Sequence, residues 1–234
     1  MTMRALGIDT ATAVGSLALA RDGEVLGTET ILEEAAGASA EHSAELGPAL
    51  DRLLAGCGVE LRDVEGIGVG LGPGSYTGLR VGVAFAKGLE FGLGVPLAGV
   101  PSFEAIAYAC RDFAGTICAL VDARMGGIYA GVYRSTGGRV EVVGAPWVTK
   151  AGAFSVEATG PLLFAGPSEA VMEKLGAGFE GAAFRVAYPD AGYTALRAAE
   201  VLGERGTTER FARLEPYYLR PSFAELAEQQ KRKK

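Results

Sequence analysis

The feature that most constrains the fold is a glycine-rich stretch at residues 66–91. Its first part, Ile67–Leu71, alternates apolar residues with glycine, a pattern typical of a strand that another backbone or a ligand approaches closely. The run Gly72–Gly74 ends that strand, because proline fixes φ and glycine adopts positive φ. Apolar residues then recur with helical spacing after Ser75, so the stretch predicts a strand, a tight turn and a helix.

The turn is a candidate anion site, because backbone N–H groups converge at the start of a helix. Gly72, Gly74 and Ser75 would line such a site, and Ser75 or Thr77 would cap the helix. The sequence differs from known nucleotide loops: G-x-x-x-x-G-K-[ST] is absent, and Gly70-x-Gly72-x-x-Ser75 lacks the third glycine of the dinucleotide motif. A phosphate loop and a plain strand-to-helix turn both stay open.

The predicted helix is apolar on more than one side. Gly78, Gly82 and Ala86 recur every four residues and form a stripe without bulky side chains. The remaining sides carry Leu79, Val81, Val83, Phe85 and Leu89. A helix of this kind is buried either in a core or by a partner.

The N-terminal region predicts three strands in a meander, with Asp22-Gly23 as a hairpin turn. These strands are 4–8, 16–20 and 24–31. A loop containing Asp9, Thr10 and Thr12 follows the first strand, as at the start of the actin/hexokinase/Hsp70-type ATPase fold. In that fold the loop aspartate holds a metal-bound nucleotide and is followed two residues later by glycine, whereas this chain has Ala11. A residual nucleotide site and a simple turn or cap are the two interpretations.

A second meander, predicted over 116–143, again has a first strand that ends in aspartate, Asp122. The repetition predicts an α/β protein with two domains, residues 1–109 and 110–234. Gly166 follows a later strand at a turn that is Gly-Gly around adenosine in actin-like ATPases and Gly-Pro here. Asp122 and Gly166 complete the candidate nucleotide residues.

Composition excludes several classes of protein. The chain has 22 basic and 28 acidic residues, a net charge of −6, so no general attraction to nucleic acid is expected. Its three cysteines are widely spaced, and the N-terminus lacks a signal-peptide pattern, which predicts a cytoplasmic protein. His42 is the only histidine, which leaves no histidine-based metal motif, and we expect neither a metal nor a cofactor.

Four separated segments resemble the bacterial TsaB family, also called YeaZ. They are Gly72–Gly82, the pattern from His42 to Leu50, Asp122–Tyr129 and Pro216–Pro221. The resemblance implies a two-domain actin-like (ASKHA, ribonuclease H-like) fold with a reduced second domain. It also implies a non-catalytic role in N6-threonylcarbamoyl modification of adenosine 37 in ANN-decoding tRNAs. It also implies that the chain binds the catalytic paralogue TsaD in a complex that includes TsaE, with tRNA reached through that complex.

We predict that helix 39–56 and helix 78–91 together bind TsaD, or a second copy of the chain when TsaD is absent. The residues expected at that surface are His42, Leu46, Leu50, Leu53, Gly78, Val81, Gly82, Val83, Phe85, Ala86 and Leu89. The rival interpretation places the second helix inside the chain's own core.

Two other functions stay open. One is an ATPase or small-molecule kinase that uses Asp9 and Asp122, and the other is a peptidase, for which G-x-S-x-G and a metal pair are missing. The basic tail, 229–234, is predicted to be solvated.

Overall fold

The computed structural model describes residues 3–32, 39–175, 179, 182–205 and 214–216. Its first sheet has five strands: β1 (Ala5–Asp9), β2 (Val14–Arg21), β3 (Glu24–Leu32), β4 (Gly66–Gly70) and β5 (Leu97–Val100). They lie in the order β3-β2-β1-β4-β5. The meander β1–β3 is antiparallel and turns at Asp22-Gly23, where both residues have positive φ, whereas β4 and β5 run parallel to β1.

The second sheet begins after helix α3 (Ser102–Ala109). Its strands are β6 (Gly115–Asp122), β7 (Gly127–Ser135), β8 (Val140–Val142), β9 (Trp147–Lys150), β10 (Leu162–Gly166) and β11 (Ala183–Val186). The remaining helices are α1 (Ser39–Cys57), α2 (Tyr76–Leu93), α4 (Ala170–Leu175) and α5 (Ala191–Arg205). The sequence did not predict the short strands β9 and β11. Two sheets of this topology confirm the predicted α/β class and actin-like fold.

The first sheet is covered on both faces. Alternate residues of β1 and β4, such as Leu6 and Val69, join a buried cluster with Leu50 of α1 and Val83 of α2. The glycines between them face α5 instead: a Cβ on Gly68 would lie 2.5 Å from the Thr194 carbonyl oxygen. The close approach predicted from the alternating glycines is therefore made by the backbone of α5.

Helices cross between the two halves of the chain. Phe103 and Ile106 of α3 pack with Tyr133 and Leu163 of the second sheet, although α3 follows the last strand of the first sheet. Helix α5 comes after the second sheet and packs on the first. The predicted division at residues 109 and 110 stays a prediction, and helix packing crosses it in both directions.

None of the helices in the described ranges is long and apolar enough to cross a membrane. The resemblance motif at 217–221 and the basic tail at 229–234 lie outside the described residues. The side chain of His42 also lies outside them.

Candidate functional site

The Asp9 loop is the centre of the candidate nucleotide site. Asp9 ends β1 and is 1% exposed. Its Oδ1 accepts a hydrogen bond from the Ala11 N–H at 2.9 Å, and its Oδ2 accepts one from the Ser102 hydroxyl at 2.7 Å. The neighbouring strand is close, since a Cβ on Gly70 would lie 1.9 Å from Asp9 Oδ2. The chain itself therefore surrounds both carboxylate oxygens.

Ser102 is a site residue that the sequence did not identify. Pro101 occupies the N-cap position of α3, and Ser102 is the first helical residue. The Ser102 hydroxyl accepts a hydrogen bond from the Gly72 N–H at 3.1 Å while it donates to Asp9. This one fully buried hydroxyl links the end of β1, the glycine turn and the start of α3.

Burial raises the pKa of Asp9 to about 6 from 3.8, because the charged carboxylate has lost its water. The hydrogen bonds from Ala11 and Ser102 act in the opposite direction but are too weak to cancel this effect. The carboxyl group therefore gains a proton more readily in the folded chain than in the unfolded chain.

The glycine turn packs against the same loop. The Ser75 N–H donates to the Ala11 carbonyl at 2.7 Å, and the Ser75 hydroxyl accepts from the Gly78 N–H at 3.2 Å, so Ser75 is the helix cap. A Cβ on Gly74 would lie 2.1 Å from the Ala11 carbonyl oxygen. The N–H groups of Gly72, Ser75 and Gly78 therefore all have partners within the chain.

The two threonines of the loop are engaged in the same way. The buried Thr10 hydroxyl donates to the Gly78 carbonyl at 2.7 Å, and the Thr12 hydroxyl donates to the Val14 carbonyl at 2.9 Å. The loop is therefore fixed by contacts to α2 and to the start of β2.

Asp122, at the end of β6, pairs with Lys174 of α4 at 2.7 Å and accepts a hydrogen bond from the Arg124 N–H at 2.8 Å. Partial burial raises its pKa, but the bonds from Lys174 and Arg124 outweigh that effect, so the pKa lies below its ordinary value. Gly166 also packs on β6, because a Cβ added to Gly166 would lie 2.1 Å from the Leu120 carbonyl oxygen.

Across the described residues, no group of three or more His, Cys, Asp or Glu side chains is arranged to hold a metal ion.

The structure corrects the predicted partner surface. Most of its residues are buried in the chain's own interior, namely Leu46, Leu50, Leu53, Gly78, Gly82, Val83 and Ala86. The small stripe faces the Asp9 loop, since Cβ atoms on Gly78 and Gly82 would each lie 2.2 Å from Thr10. Val81, Phe85 and Leu89 are half-buried.

A second small stripe on α2 is the one that faces outward. Ala84, Gly88 and Gly92 are exposed, and Cβ atoms at Gly88 and Gly92 would meet nothing within 4 Å. Phe91 lies beside them and is 80% exposed. The periodicity of α2 fits either stripe, and only the position of β1 decides which of them is covered.

Comparisons with known proteins agree with this architecture. The sequence model of the TsaD family, described as tRNA N6-adenosine threonylcarbamoyltransferase, matches residues 31–200. The TsaB protein of Bacillus subtilis is 38% identical over 141 residues, which cover 60% of this chain and 59% of that protein. The TsaB protein of Escherichia coli is 35% identical over 134 residues, which cover 56% and 55%. The chain belongs to the TsaB/YeaZ family.

Two solved structures share the fold over most of the chain. A Pseudomonas aeruginosa protein, described as similar to peptidase YeaZ, superposes with a TM-score of 0.78 at 28% identity and covers 93% of this chain and 100% of its own. YeaZ from the same organism gives a TM-score of 0.73 at 28% identity, covering 87% and 93%. In sequence, the chain spans between half and two thirds of the length of the curated TsaB relatives it matches.

Proposed function

We propose that the chain serves in the biosynthesis of threonylcarbamoyladenosine in tRNA as a subunit that binds TsaD without catalysing a reaction itself. A role in this biosynthesis is supported by the names of the relatives, which are TsaB proteins and a tRNA N6-adenosine threonylcarbamoyltransferase. The observation that carries the non-catalytic role is the position of Asp9, whose two carboxylate oxygens are engaged within the chain. A metal-bound nucleotide would have to displace Ser102 and open a loop that is almost completely buried.

The isolated protein should not hydrolyse ATP at an ordinary enzyme rate. We expect a turnover below about 1 s⁻¹, the lower end of typical values, in the presence of Mg²⁺. The measurement is phosphate release from purified full-length protein, with Asp9→Ala as the matched variant. Hydrolysis at or above that rate that is lost in Asp9→Ala would contradict the non-catalytic role.

We propose the exposed side of α2 as the TsaD-binding surface. Phe91 and Tyr76 are 80% and 44% exposed, and Ala84 and Gly88 lie between them. Small residues on an exposed helix allow a second helix to approach closely, while the aromatic rings supply apolar area at the edges. Without TsaD, the same face would pair with a second copy of the chain around a two-fold axis. TsaE and tRNA would join through the complex, in the cytoplasm.

Gly88→Arg should abolish this binding while the chain stays folded. The side chain enters open space in the free protein, because a Cβ there meets nothing within 4 Å. In a dry helix–helix contact the arginine would leave a buried, unpaired charge, with a cost of about 3–5 kcal/mol. That cost corresponds to a loss of affinity of roughly a hundred- to several-thousand-fold.

The matched control is Gly144→Arg, a glycine of the second half that also has open space around it. Affinity for TsaD is measured by calorimetry, oligomeric state by light scattering and folding by circular dichroism. Normal TsaD binding and dimerisation by a folded Gly88→Arg protein would exclude this surface. Normal binding by Gly144→Arg shows that an added charge alone is harmless.

A further inference from the structure

A cleft rich in arginine lies at the end of the first sheet opposite to Asp9. It has a volume of about 320 Å³ and is lined by Arg4, Arg21, Arg62, Asp63 and Glu65. Arg4 precedes β1, Arg21 ends the antiparallel β2, and residues 62–65 lead into the parallel β4, so the topology brings all of them to one edge. The candidate nucleotide residues of the Asp9 loop lie at the other end of β1.

The two carboxylates of the cleft have partners on the backbone. Glu65 Oε2 accepts a hydrogen bond from the Arg4 N–H at 2.7 Å, and Asp63 Oδ2 accepts one from the Glu60 N–H at 3.1 Å. Both therefore serve the local fold. The lining itself contains three guanidinium groups and two carboxylates, while Asp22 and Glu60, which pair with Arg21 and Arg62, lie outside it.

The Arg4 side chain is only partly satisfied. Its Nη1 donates to the Asp63 carbonyl at 2.9 Å, which fixes the guanidinium beside the cleft. Its Nε is shielded from solvent and has no hydrogen-bond acceptor among the described residues. A buried donor without an acceptor is unfavourable, and an anion beside the guanidinium would compensate the charge.

Arg21 and Arg62 each have N–H donors that their ion pairs do not use. Arg21 Nε pairs with Asp22 at 3.2 Å, and Arg62 Nη2 pairs with Glu60 at 2.6 Å, both on the exposed surface. A guanidinium carries five N–H donors, so each of these pairs occupies only part of the group. Surface ion pairs of this kind contribute little and can rearrange to accept a ligand.

We propose that this cleft binds a phosphate group. Arginine is suited to phosphate because its planar fork donates two parallel hydrogen bonds to two oxygens. A neighbouring cleft of about 380 Å³ shares Arg21 and is lined in part by Met3, Leu196 and Ala199, so it provides a surface for the rest of a phosphorylated ligand. The phosphate would come either from a small phosphorylated molecule or from an RNA backbone. This assignment does not depend on the proposed function, because it concerns the chain alone.

The test uses the full-length chain and a double variant, Arg21→Gln with Arg62→Gln. Both side chains are exposed, so the variant should keep its melting temperature. The control is Arg139→Gln, an exposed arginine outside the cleft that pairs with Glu141. Binding of inorganic pyrophosphate is followed by calorimetry, and binding of a short RNA duplex by fluorescence anisotropy at several salt concentrations.

We expect the double variant to lose at least tenfold in affinity for one of these probes, with no loss in the control. Loss of pyrophosphate binding identifies a small phosphorylated ligand. Loss confined to RNA identifies the backbone as the source, with a salt slope lower by about 0.9 for each phosphate contact removed on a duplex. If neither probe binds, or if binding is equal in the double variant and the control, the proposal is wrong. Should the double variant be unstable, the single Arg62→Gln variant decides by the same criteria.

Discussion

Replacing Gly78 with alanine should destabilise the protein by about 3 kcal/mol, whereas the same change at Gly88, ten residues further along α2, should stabilise it slightly. A Cβ at Gly78 would lie 2.2 Å from the carbonyl oxygen of Thr10, a backbone atom that cannot move without disturbing the Asp9 loop. Overpacking of this kind costs about 1–3 kcal/mol, and more where the obstacle is rigid. For a chain of this size, 3 kcal/mol corresponds to a fall in melting temperature of roughly 6–12 °C.

Gly88→Ala is the matched control, because both glycines lie inside α2 and gain the same helix propensity. Alanine in place of glycine stabilises a helix interior by about 0.5–1 kcal/mol, and a Cβ at Gly88 meets nothing within 4 Å. Thermal and urea unfolding of the two variants measure the difference. Equal stability of the two variants would mean that the Gly78 stripe does not pack on the Asp9 loop and that the buried side of α2 is wrongly assigned.

The second large effect is a loss of stability as the pH rises from about 4 to about 6. The pKa of Asp9 is raised from 3.8 to about 6 by burial, so between these values the folded chain keeps a proton that the unfolded chain has released. The folded state then binds more protons, and the free energy of unfolding falls with rising pH. Each pH unit corresponds to about 1.36 kcal/mol, so this contribution is at most about 3 kcal/mol.

Asp9→Asn should remove this pH dependence and be more stable than the parent protein at pH 7. The amide keeps an oxygen for the Ala11 N–H and has no charge to bury. The free energy of unfolding of both proteins, measured in urea from pH 4 to pH 7.5, should give a difference that grows up to about pH 6 and is then constant. Asp51→Asn, on the exposed side of α1, is the control for loss of a carboxylate. A difference that is constant over the whole pH range would show that burial does not raise the pKa of Asp9.

Ser102→Ala tests the same network from the other side. The hydroxyl donates to Asp9, and this bond lowers the pKa of the carboxyl group. Without it, the pKa of Asp9 should rise further, and the loss of stability should extend above pH 6.

Much of the fold follows from local patterns in the sequence. The hairpin at Asp22-Gly23 needs positive φ, which glycine and aspartate tolerate, and Ser75 caps α2 through a hydrogen bond that spans three residues. The strand, turn and helix of residues 66–91 were therefore predictable, as were the family and the α/β class. Each of these features depends on neighbours along the chain or on a motif that can be read directly.

The site itself was decided by tertiary structure. Ser102 contacts Asp9 across a separation of 93 residues, and the arginine cleft combines residues 4, 21 and 62. Helix α2 carries two small stripes, and its sequence alone does not determine which one faces the core. Periodicity defines which residues share a face of a helix, but the identity of the element that covers that face depends on how distant segments pack. Hence the sequence determined most of the elements and the family. Only the packing of the Asp9 loop against α2 and Ser102 decided that Asp9 is enclosed and that the outward stripe is Ala84, Gly88 and Gly92.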